Sequence, residues 1–299
     1  MSATLPPRVI VVSRRSELDE LVAQHGTLPA ARHFLRTRGR DLDEVAARHE
    51  ALSGALTTVA AAIPADWRRG QVDRADLPRF LFEPGDIVVA VGQDGLVANA
   101  GKYLTGQPVV GVNPEPDRNP GVLVRFPTSA VDGLLVAVAG GHATTQRRTM
   151  VTARLDDGQL LVGLNEIYVG HRSHQSARYL LTTPGGQERQ SSSGLIAGTG
   201  TGATGWCASI AAERNWTGGL PDPGEASLCW FVREAWPSPA TRTNLTGGRL
   251  RDDQQVTVSC ESDQLVVFAD GLESDHLSLT WGQRVTIGVA DRHLTLVTA

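Results

Sequence analysis

The stretch SSSGLIAGTGTGATGW, residues 191–206, has glycine at five of its sixteen positions. A short apolar run leads into the glycines, and a helix-like run over residues 206–214 leads out of them. The pattern predicts a strand, a loop rich in unscreened backbone N–H groups and a helix start, which together suit a phosphate or another anion. Thr199, Thr201 and Thr204 add hydroxyls able to bond a ribose or a phosphate oxygen. A glycine-rich turn that only reverses the chain is the alternative.

The composition is that of a globular protein with enough apolar material for a core. The chain has 299 residues, of which 41% are hydrophobic and 20% charged, a length that fits two domains. Its net charge of −4, without a basic stripe, argues against a nucleic-acid partner. No apolar run approaches the ~20 residues of a membrane helix, and the first residues lack a signal-peptide pattern. The three cysteines lack the paired spacing of a disulfide framework or zinc site, so we expect no protein-bound metal and a cytoplasmic location.

Strands and helices alternate in the first part of the chain. Residues 8–13, 86–91 and 108–112 are continuous apolar runs, typical of strands buried on both faces. Helices are predicted for residues 16–24, 28–38, 41–62 and 96–104. We therefore expect an α/β domain with a parallel, Rossmann-like sheet over residues 1–128.

An acidic turn, GQDG at residues 92–95, follows the second of these strands. Strand, turn, helix and strand form a βαβ unit, in which ligands gather at the carboxyl ends of the strands. Asp94 could hold Mg²⁺ there, or take a proton from an attacking hydroxyl. An Asp-Gly turn or a helix cap is the alternative.

The sequence pattern changes in the second part of the chain. Short strands separated by Gly and Asp turns predict a β-rich, β-sandwich-like domain with one helix over residues 129–299. The strands are expected at residues 149–155, 159–164, 166–169, 179–182, 195–197, 228–232, 256–259, 265–268, 284–289 and 294–297.

Four motifs in a fixed order resemble the NAD kinase family. They are GQDG at 92–95, LNE at 164–166, SGLIAGTGTGATGW at 193–206 and FADG at 268–271. Members of that family pair an α/β domain with a β-rich domain. The similarity is closest to the mitochondrial branch, which has a TGTG core followed by a tryptophan, as here at Trp206. GVNPEPDRNPG, REAW and the amino-terminal RVIVVSRR also resemble that branch.

The resemblance implies phosphoryl transfer from ATP, accompanied by Mg²⁺, to the 2′-hydroxyl of the adenosine ribose of NAD. Asp94 would act on that hydroxyl as base or orienter, and Gly92 and Gly95 would let phosphates approach the backbone. Asn165 and Glu166 would hydrogen-bond NAD. Further contacts to the nucleotides are expected from Gln93, Asn113, Ser193, Thr199, Thr201, Gly202 and Thr204. The resemblance also implies a homodimer, and leaves open whether ATP or polyphosphate is the donor.

The chain departs from the family pattern at Leu96, Ala203 and Gly205 and, with more consequence for the site, at Gln93 and Ser193. Gln93 replaces the second glycine of GGDG, and Ser193 replaces the aspartate of a Gly-Asp-Gly motif. If the replaced glycine has a positive φ, Gln93 would cost roughly 1 kcal/mol or more in strain. Two alternatives therefore stay open: a kinase of this fold acting on another hydroxyl of a sugar, lipid or nucleotide, and a weak or inactive dinucleotide-binding homologue.

Overall fold

The computed structural model describes residues 6–299, which form two compact units. The first unit contains residues 6–146 together with Thr295–Ala299, and the second contains Arg147–Leu294. Among residues 6–299, no helix has both the length and the apolar character needed to cross a membrane.

The first unit is built on a parallel sheet. Its strands are β1 (Arg8–Ser13), β2 (Arg68–Asp73), β3 (Asp86–Val91) and β4 (Pro108–Val112), in the order β2-β1-β3-β4. Residues Thr295 and Leu296 of the last strand of the chain pair with β4 in parallel and extend the sheet. Strand β3 is buried along its whole length, which agrees with its uninterrupted apolar sequence.

Five α-helices accompany this sheet, and their ends are set by local sequence. Ser16 and Asp19 form a capping box at the start of the first helix, and Asp41 caps the third. The helices predicted between residues 16 and 62 are confirmed, whereas β2 and α5 were not predicted. The helices are α1 (Glu17–His25), α2 (Leu28–Arg36), α3 (Leu42–Ala62), α4 (Asp94–Gly101) and α5 (Val131–Ala139), with 3₁₀ turns at Arg74–Arg79 and Thr128–Ala130.

The second unit contains two antiparallel sheets with an apolar core. One sheet has the order β12-β11-β10-β7-β14-β15, and the other joins β16, β13, β8 and β9, with the β5–β6 hairpin attached to β16. Buried residues from both sheets form one cluster, which includes Leu195, Val169, Tyr179 and Val258. The strands are β5 (Thr145–Leu155), β6 (Leu160–Gly163), β7 (Glu166–Gly170), β8 (Ala177–Thr183), β9 (Gly186–Ser192), β10 (Gly194–Gly198), β11 (Ser227–Arg233), β12 (Gly247–Arg251), β13 (Gln255–Cys260), β14 (Gln264–Ala269), β15 (His276–Thr280) and β16 (Arg284–Val297).

Strand β10 and helix α6 (Trp206–Glu213) position the glycine-rich loop. Leu195 and Ala197 point into the core between the sheets, and Ile196 packs with Cys207 and Ile210 of α6. Because both faces of β10 are covered, its sequence is apolar without alternation. The strand, loop and helix predicted for residues 191–214 are therefore confirmed.

Candidate functional site

The GQDG turn joins β3 to α4 in the first unit. Gln93 has φ −107° and ψ 166°, an extended conformation at the position before the helix, and its side chain is exposed. The expected strain at Gln93 is therefore wrong, because any residue adopts this backbone conformation. Its side chain makes no capping hydrogen bond, so it extends from the turn without fastening it.

Asp94, the first residue of α4, is fastened to a loop of the same unit. Its Oδ1 accepts hydrogen bonds from the backbone N–H groups of Leu123 at 2.8 Å and Val124 at 3.0 Å. Its Oδ2 accepts from the N–H of Val122 at 3.0 Å. An ionised carboxylate offers about four lone-pair positions, so about one is left for a further hydroxyl.

Asn113, which follows the neighbouring strand β4, belongs to the same loop. Its side-chain amide donates to the carbonyl of Asn119 at 2.7 Å and its Oδ1 accepts from the N–H of Glu115 at 3.0 Å. The residue is buried. The structure thus brings Asp94 and Asn113 to one edge of the sheet, where both hold the loop over residues 113–126.

In the second unit, Thr199 organises the glycine-rich loop. Its hydroxyl donates to the carbonyl of Leu164 at 2.6 Å and accepts from the N–H groups of Thr201 at 3.1 Å and Gly202 at 3.3 Å. Its own N–H donates to the carbonyl of Asn165 at 2.9 Å. The predicted residues of the LNE and TGTG motifs are therefore neighbours, and Thr199 connects them without being exposed.

Asp270 fixes the backbone of the LNE motif through its carboxylate. Its carboxylate accepts from the backbone N–H groups of Leu164 at 3.0 Å, Asn165 at 2.7 Å and Glu166 at 3.3 Å. Its φ of 53° is one that aspartate tolerates better than most residues, and it is followed by Gly271 with φ 66°. Asp270 lies in the FADG stretch, whose Asp-Gly turn at a strand end is the sequence signal for this role.

The glycines of the loop are required by packing within the protein. A Cβ on Gly202 would lie 2.2 Å from the carbonyl oxygen of Asn165, and one on Gly200 would lie 2.1 Å from the backbone of Asp222. A Cβ on Gly198 would lie 2.5 Å from the Sγ of Cys207. None of the three has a positive φ, so the backbone conformation is not what requires glycine here. Their bare backbone faces neighbouring protein atoms.

Two threonines of the loop differ in their surroundings. The hydroxyl of Thr201 is buried and accepts from the Nη1 of Arg148 at 3.4 Å. The Thr204 side chain is exposed, and its hydroxyl donates to the carbonyl of Thr201 at 2.9 Å. Arg148, at 2% exposure, places a guanidinium directly behind the loop and was missed by sequence analysis.

A cleft of about 510 Å³ opens on the same unit and is lined mainly by aromatic and basic side chains, together with Val266, Glu273 and Ser274. The rings of Tyr168 and Trp206 are stacked with centroids 5.7 Å apart, and Phe268 lies 4.9 Å from Tyr168. The guanidinium of Arg233 lies 5.2 Å from the ring of Trp206. Burial raises the pKa of the Tyr168 hydroxyl. Such a cleft, called the aromatic cleft below, suits a planar ring next to an anionic group.

Ser193 contacts Tyr168 of the aromatic cleft and is distant from the threonines. Its carbonyl accepts from the hydroxyl of Tyr168 at 2.7 Å, and its side chain is exposed. It precedes β10, whereas Thr199 follows it, so the five residues of that strand, roughly 17 Å, separate the two. Glu166, at the start of β7, pairs with Gly198, the residue of β10 that adjoins the glycine-rich loop.

Within residues 6–299, no three or more His, Cys, Asp or Glu side chains are grouped so that they could hold a metal ion. The three cysteines are buried thiols.

Comparison with known proteins finds similarity to a protein of the family that the motifs resemble. No protein-family model matches the chain. A protein named NAD kinase from Chlorobaculum tepidum is 24% identical over 230 residues, which cover 75% of this chain and 74% of that protein.

Two solved structures share the fold. Yeast NADH kinase complexed with NADH superposes with a TM-score of 0.61 at 13% identity, covering 99% of this chain and 84% of that one. An NAD kinase from Archaeoglobus fulgidus in complex with ATP superposes with a TM-score of 0.57 at 17% identity, covering 97% and 93%. The predicted fold class, an α/β domain followed by a β-rich domain, and the predicted resemblance to NAD kinases are confirmed.

Proposed function

We propose that this chain, which resembles NAD kinases in sequence and has their fold, is an NAD kinase. It transfers a phosphoryl group from ATP to the 2′-hydroxyl of the adenosine ribose of NAD and releases NADP. The observation that carries the proposal is the fastening of Asn165 to the Thr199–Gly202 loop, because it joins two of the family's motifs into one rigid surface. The sequence similarity to a NAD kinase over three quarters of the chain supports the same activity.

Asp94 is the residue proposed to act on the acceptor hydroxyl. Phosphoryl transfer asks the protein chiefly for positioning and charge stabilisation, with little covalent chemistry. A carboxylate held by three backbone N–H groups is fixed in position, and its remaining lone pair can accept the proton of a hydroxyl. In this role Asp94 orients the 2′-hydroxyl and takes its proton as the bond from that oxygen to the γ-phosphorus forms and the bond from the γ-phosphorus to ADP breaks, with ADP as the leaving group.

The dinucleotide is proposed to lie on the second unit. The exposed hydroxyl of Thr204 and the half-buried side chains of Asn165 and Glu166 are polar groups proposed to contact a ribose or an adenine. The aromatic cleft offers Trp206 and Tyr168 as stacking partners for one ring of the dinucleotide. Arg233, beside them, adds a positive charge for a phosphate.

Mg²⁺ is proposed to arrive with the nucleotide. Magnesium takes oxygen ligands and commonly binds through one or two carboxylates together with substrate phosphates. Asp94 has most of its lone pairs occupied by backbone N–H groups, so a resident ion does not fit there. The homodimer implied by the resemblance and the cytoplasmic location expected from the unpaired cysteines belong to the same proposal.

Direct product analysis tests this function. The purified chain is incubated with ATP, Mg²⁺ and NAD, and NADP is measured with an NADP-specific dehydrogenase. Parallel reactions replace NAD with NADH, and ATP with inorganic polyphosphate, to identify the acceptor and the donor. We expect NADP with ATP and NAD, and none without the donor. ATP consumption without NADP, or binding of both nucleotides without turnover, would reject the proposal in favour of another acceptor or a non-catalytic role.

A further inference from the structure

Three arginines to which no role has been assigned lie together in the first unit, and two of them, Arg14 and Arg15, end the amino-terminal RVIVVSRR stretch. Arg14 and Arg15 directly follow β1, and Arg74 directly follows β2. The two strands are parallel, with Ser13 level with Asp73, so the arginines leave the sheet at the same edge. A cleft of about 300 Å³ lies between them. This arginine cleft is lined by Arg14, Arg15, Arg74, Glu20, Asp73 and Asp76.

The carboxylates of the arginine cleft are already engaged. Asp73 accepts from the N–H of Ala75 at 2.9 Å, as the cap of the following 3₁₀ turn. Asp76 is paired with Arg79. Glu20 faces Arg14 at 4.0 Å across an exposed and therefore weak contact.

Two of the three guanidinium groups in the arginine cleft are unpaired among the described residues. In the part of the chain that the structure describes, Arg15 and Arg74 have neither a hydrogen-bond nor an ion-pair partner for their side chains. Arg15 is exposed and Arg74 is half-buried at the rim of the cleft. Guanidinium groups with five N–H donors each are well matched to phosphate oxygens.

The arginine cleft lies at the edge of the sheet that also ends in the GQDG turn. Strand β1 pairs with β2 on one side and with β3 on the other, and Val12 is level with Ala90. Two residues further along, Arg14 is therefore level with Gly92. Ligands of open parallel sheets bind outside the carboxyl ends of the strands.

We infer that the arginine cleft is a binding site for nucleotide phosphates, with Arg15 and Arg74 as the groups that hold them. The inference rests on the proposed kinase function, since ATP and NAD both bring phosphates to this edge. Either nucleotide can supply the bound groups, and separate kinetic measurements on each distinguish the two sources.

A charge-matched set of variants tests the site. Arg15→Ala and Arg74→Ala, alone and together, remove the two guanidinium groups. Arg69→Ala is the control, because Arg69 is an exposed arginine near the amino end of the same strand β2. Thermal unfolding checks that every variant stays folded. Inorganic tripolyphosphate is titrated into each protein by calorimetry.

The double variant is expected to bind tripolyphosphate roughly tenfold or more weakly than the natural chain, because it lacks the two guanidinium groups that donate hydrogen bonds to charged phosphate oxygens. Arg69→Ala should leave binding unchanged. A rise in the KM for ATP alone assigns the cleft to the donor, and a rise in the KM for NAD alone assigns it to the dinucleotide. Equal tripolyphosphate affinity in all variants, or none in the natural chain, overturns the inference. If the natural chain makes no NADP, the proposed function fails, and the titration alone decides the phosphate site.

Discussion

The carboxylate of Asp94 accepts the backbone N–H of Leu123 at 2.8 Å, which fastens the start of helix α4 to the loop after β4. Val122 and Val124 complete the set of three amides. One side chain thus shapes the loop and offers a fixed oxygen to a substrate hydroxyl. A structural and a catalytic contribution of Asp94 can be separated by a substitution that preserves the shape of the side chain.

Asp94→Asn is expected to lower kcat for NADP formation by about 10²–10⁴, the usual contribution of a general base. The amide oxygen can still accept from the N–H groups of Leu123 and Val124, whereas the amide nitrogen cannot accept from Val122 and cannot take a proton. Because two of the three hydrogen bonds remain, the fold should be retained. Asp41→Asn is the matched control, because Asp41 caps α3 by accepting from the N–H of Asp43 at 3.0 Å. Comparable kcat values for the two variants would show that Asp94 only shapes the loop.

The extended backbone of Gln93 leads to a prediction about activity. Because its φ is −107°, glycine relieves no strain at this position, and the helix start tolerates either residue. We expect Gln93→Gly to change the stability by less than ~1 kcal/mol and to leave turnover near that of the natural chain. NADP formation and thermal unfolding measure both. A large gain in turnover would mean that the Gln93 side chain obstructs the donor and that the natural chain is a weak kinase.

The architecture could be predicted from the sequence where strands are covered on both faces. The buried strands β1, β3, β4 and β10 are continuous apolar runs and were identified. Four strands were missed, and each lies at an edge: β2 in the first unit, and β9, β12 and β15 in the second. Strands β2, β9 and β12 have the polar sequences RRGQVD, GQERQSS and GGRLR, because an edge strand is covered less and contributes few core residues. Their pairing depends on distant partners that local patterns do not reveal.

In the candidate site, too, contacts between segments distant in sequence could not be predicted. The motifs indicated Asp94, Asn165 and Thr199, yet the amides that hold Asp94 and the carboxylate of Asp270 that holds Asn165 come from segments 28 and 105 residues away. The interpretation of the loop glycines was also incomplete, since bare backbone is as useful for close packing as for a ligand. The sequence does not distinguish close packing from ligand binding at these glycines, whereas the positions of the neighbouring atoms do.

The close contact at Gly202 predicts a cost for any side chain there. Gly202→Ala would place a methyl group 2.2 Å from the carbonyl oxygen of Asn165, a contact with backbone that cannot rotate away. We expect a destabilisation of about 1–3 kcal/mol or more and a loss of NADP formation, because the loop must move away from the LNE motif. Thermal unfolding and turnover measure the two effects.

Gly185→Ala is the matched control in the same unit. Its Cβ would lie 3.6 Å from the nearest atom, the Oγ1 of Thr183, an ordinary contact in an exposed turn. Stability and turnover should stay close to those of the natural chain. Equal losses in the Gly202 and Gly185 variants would contradict the packing argument.

Glu188 in β9 is a buried carboxylate that fastens a neighbouring segment. It accepts from the N–H of Leu245 at 2.9 Å, from the side chain of Gln190 at 2.6 Å and from Asn244 at 3.2 Å. Burial by itself raises the pKa of the Glu188 carboxyl, but these hydrogen bonds lower it by more, and the net shift is downward.

The lowered pKa of the Glu188 carboxyl predicts in which direction the stability of the protein changes with pH. Since the folded carboxyl titrates below its ordinary pKa of 4.5, its contribution to stability is present above that pH and is lost as the pH falls through the folded value. Glu188→Gln removes the titration, so the natural chain should lose more stability than this variant between pH 7 and acid. Urea unfolding across that range measures the difference. Glu213→Gln, an exposed glutamate, is the control. A stability difference between the natural chain and Glu188→Gln that stays constant with pH would disprove the assignment.

Trp206 links the glycine-rich loop to the aromatic cleft, because it is the first residue of α6 and stacks on Tyr168. If a ring of the dinucleotide stacks there, Trp206→Ala should raise the KM for NAD roughly tenfold, in line with the ~1–3 kcal/mol measured for a stacked base. The KM for ATP should stay unchanged, and Trp206→Tyr should recover most of the loss because it keeps an aromatic face. Trp281→Ala is the control, since that tryptophan is 68% exposed and lies outside the cleft. A parallel rise in both KM values, together with a lower melting temperature, would instead assign Trp206 to the packing of α6 against β10.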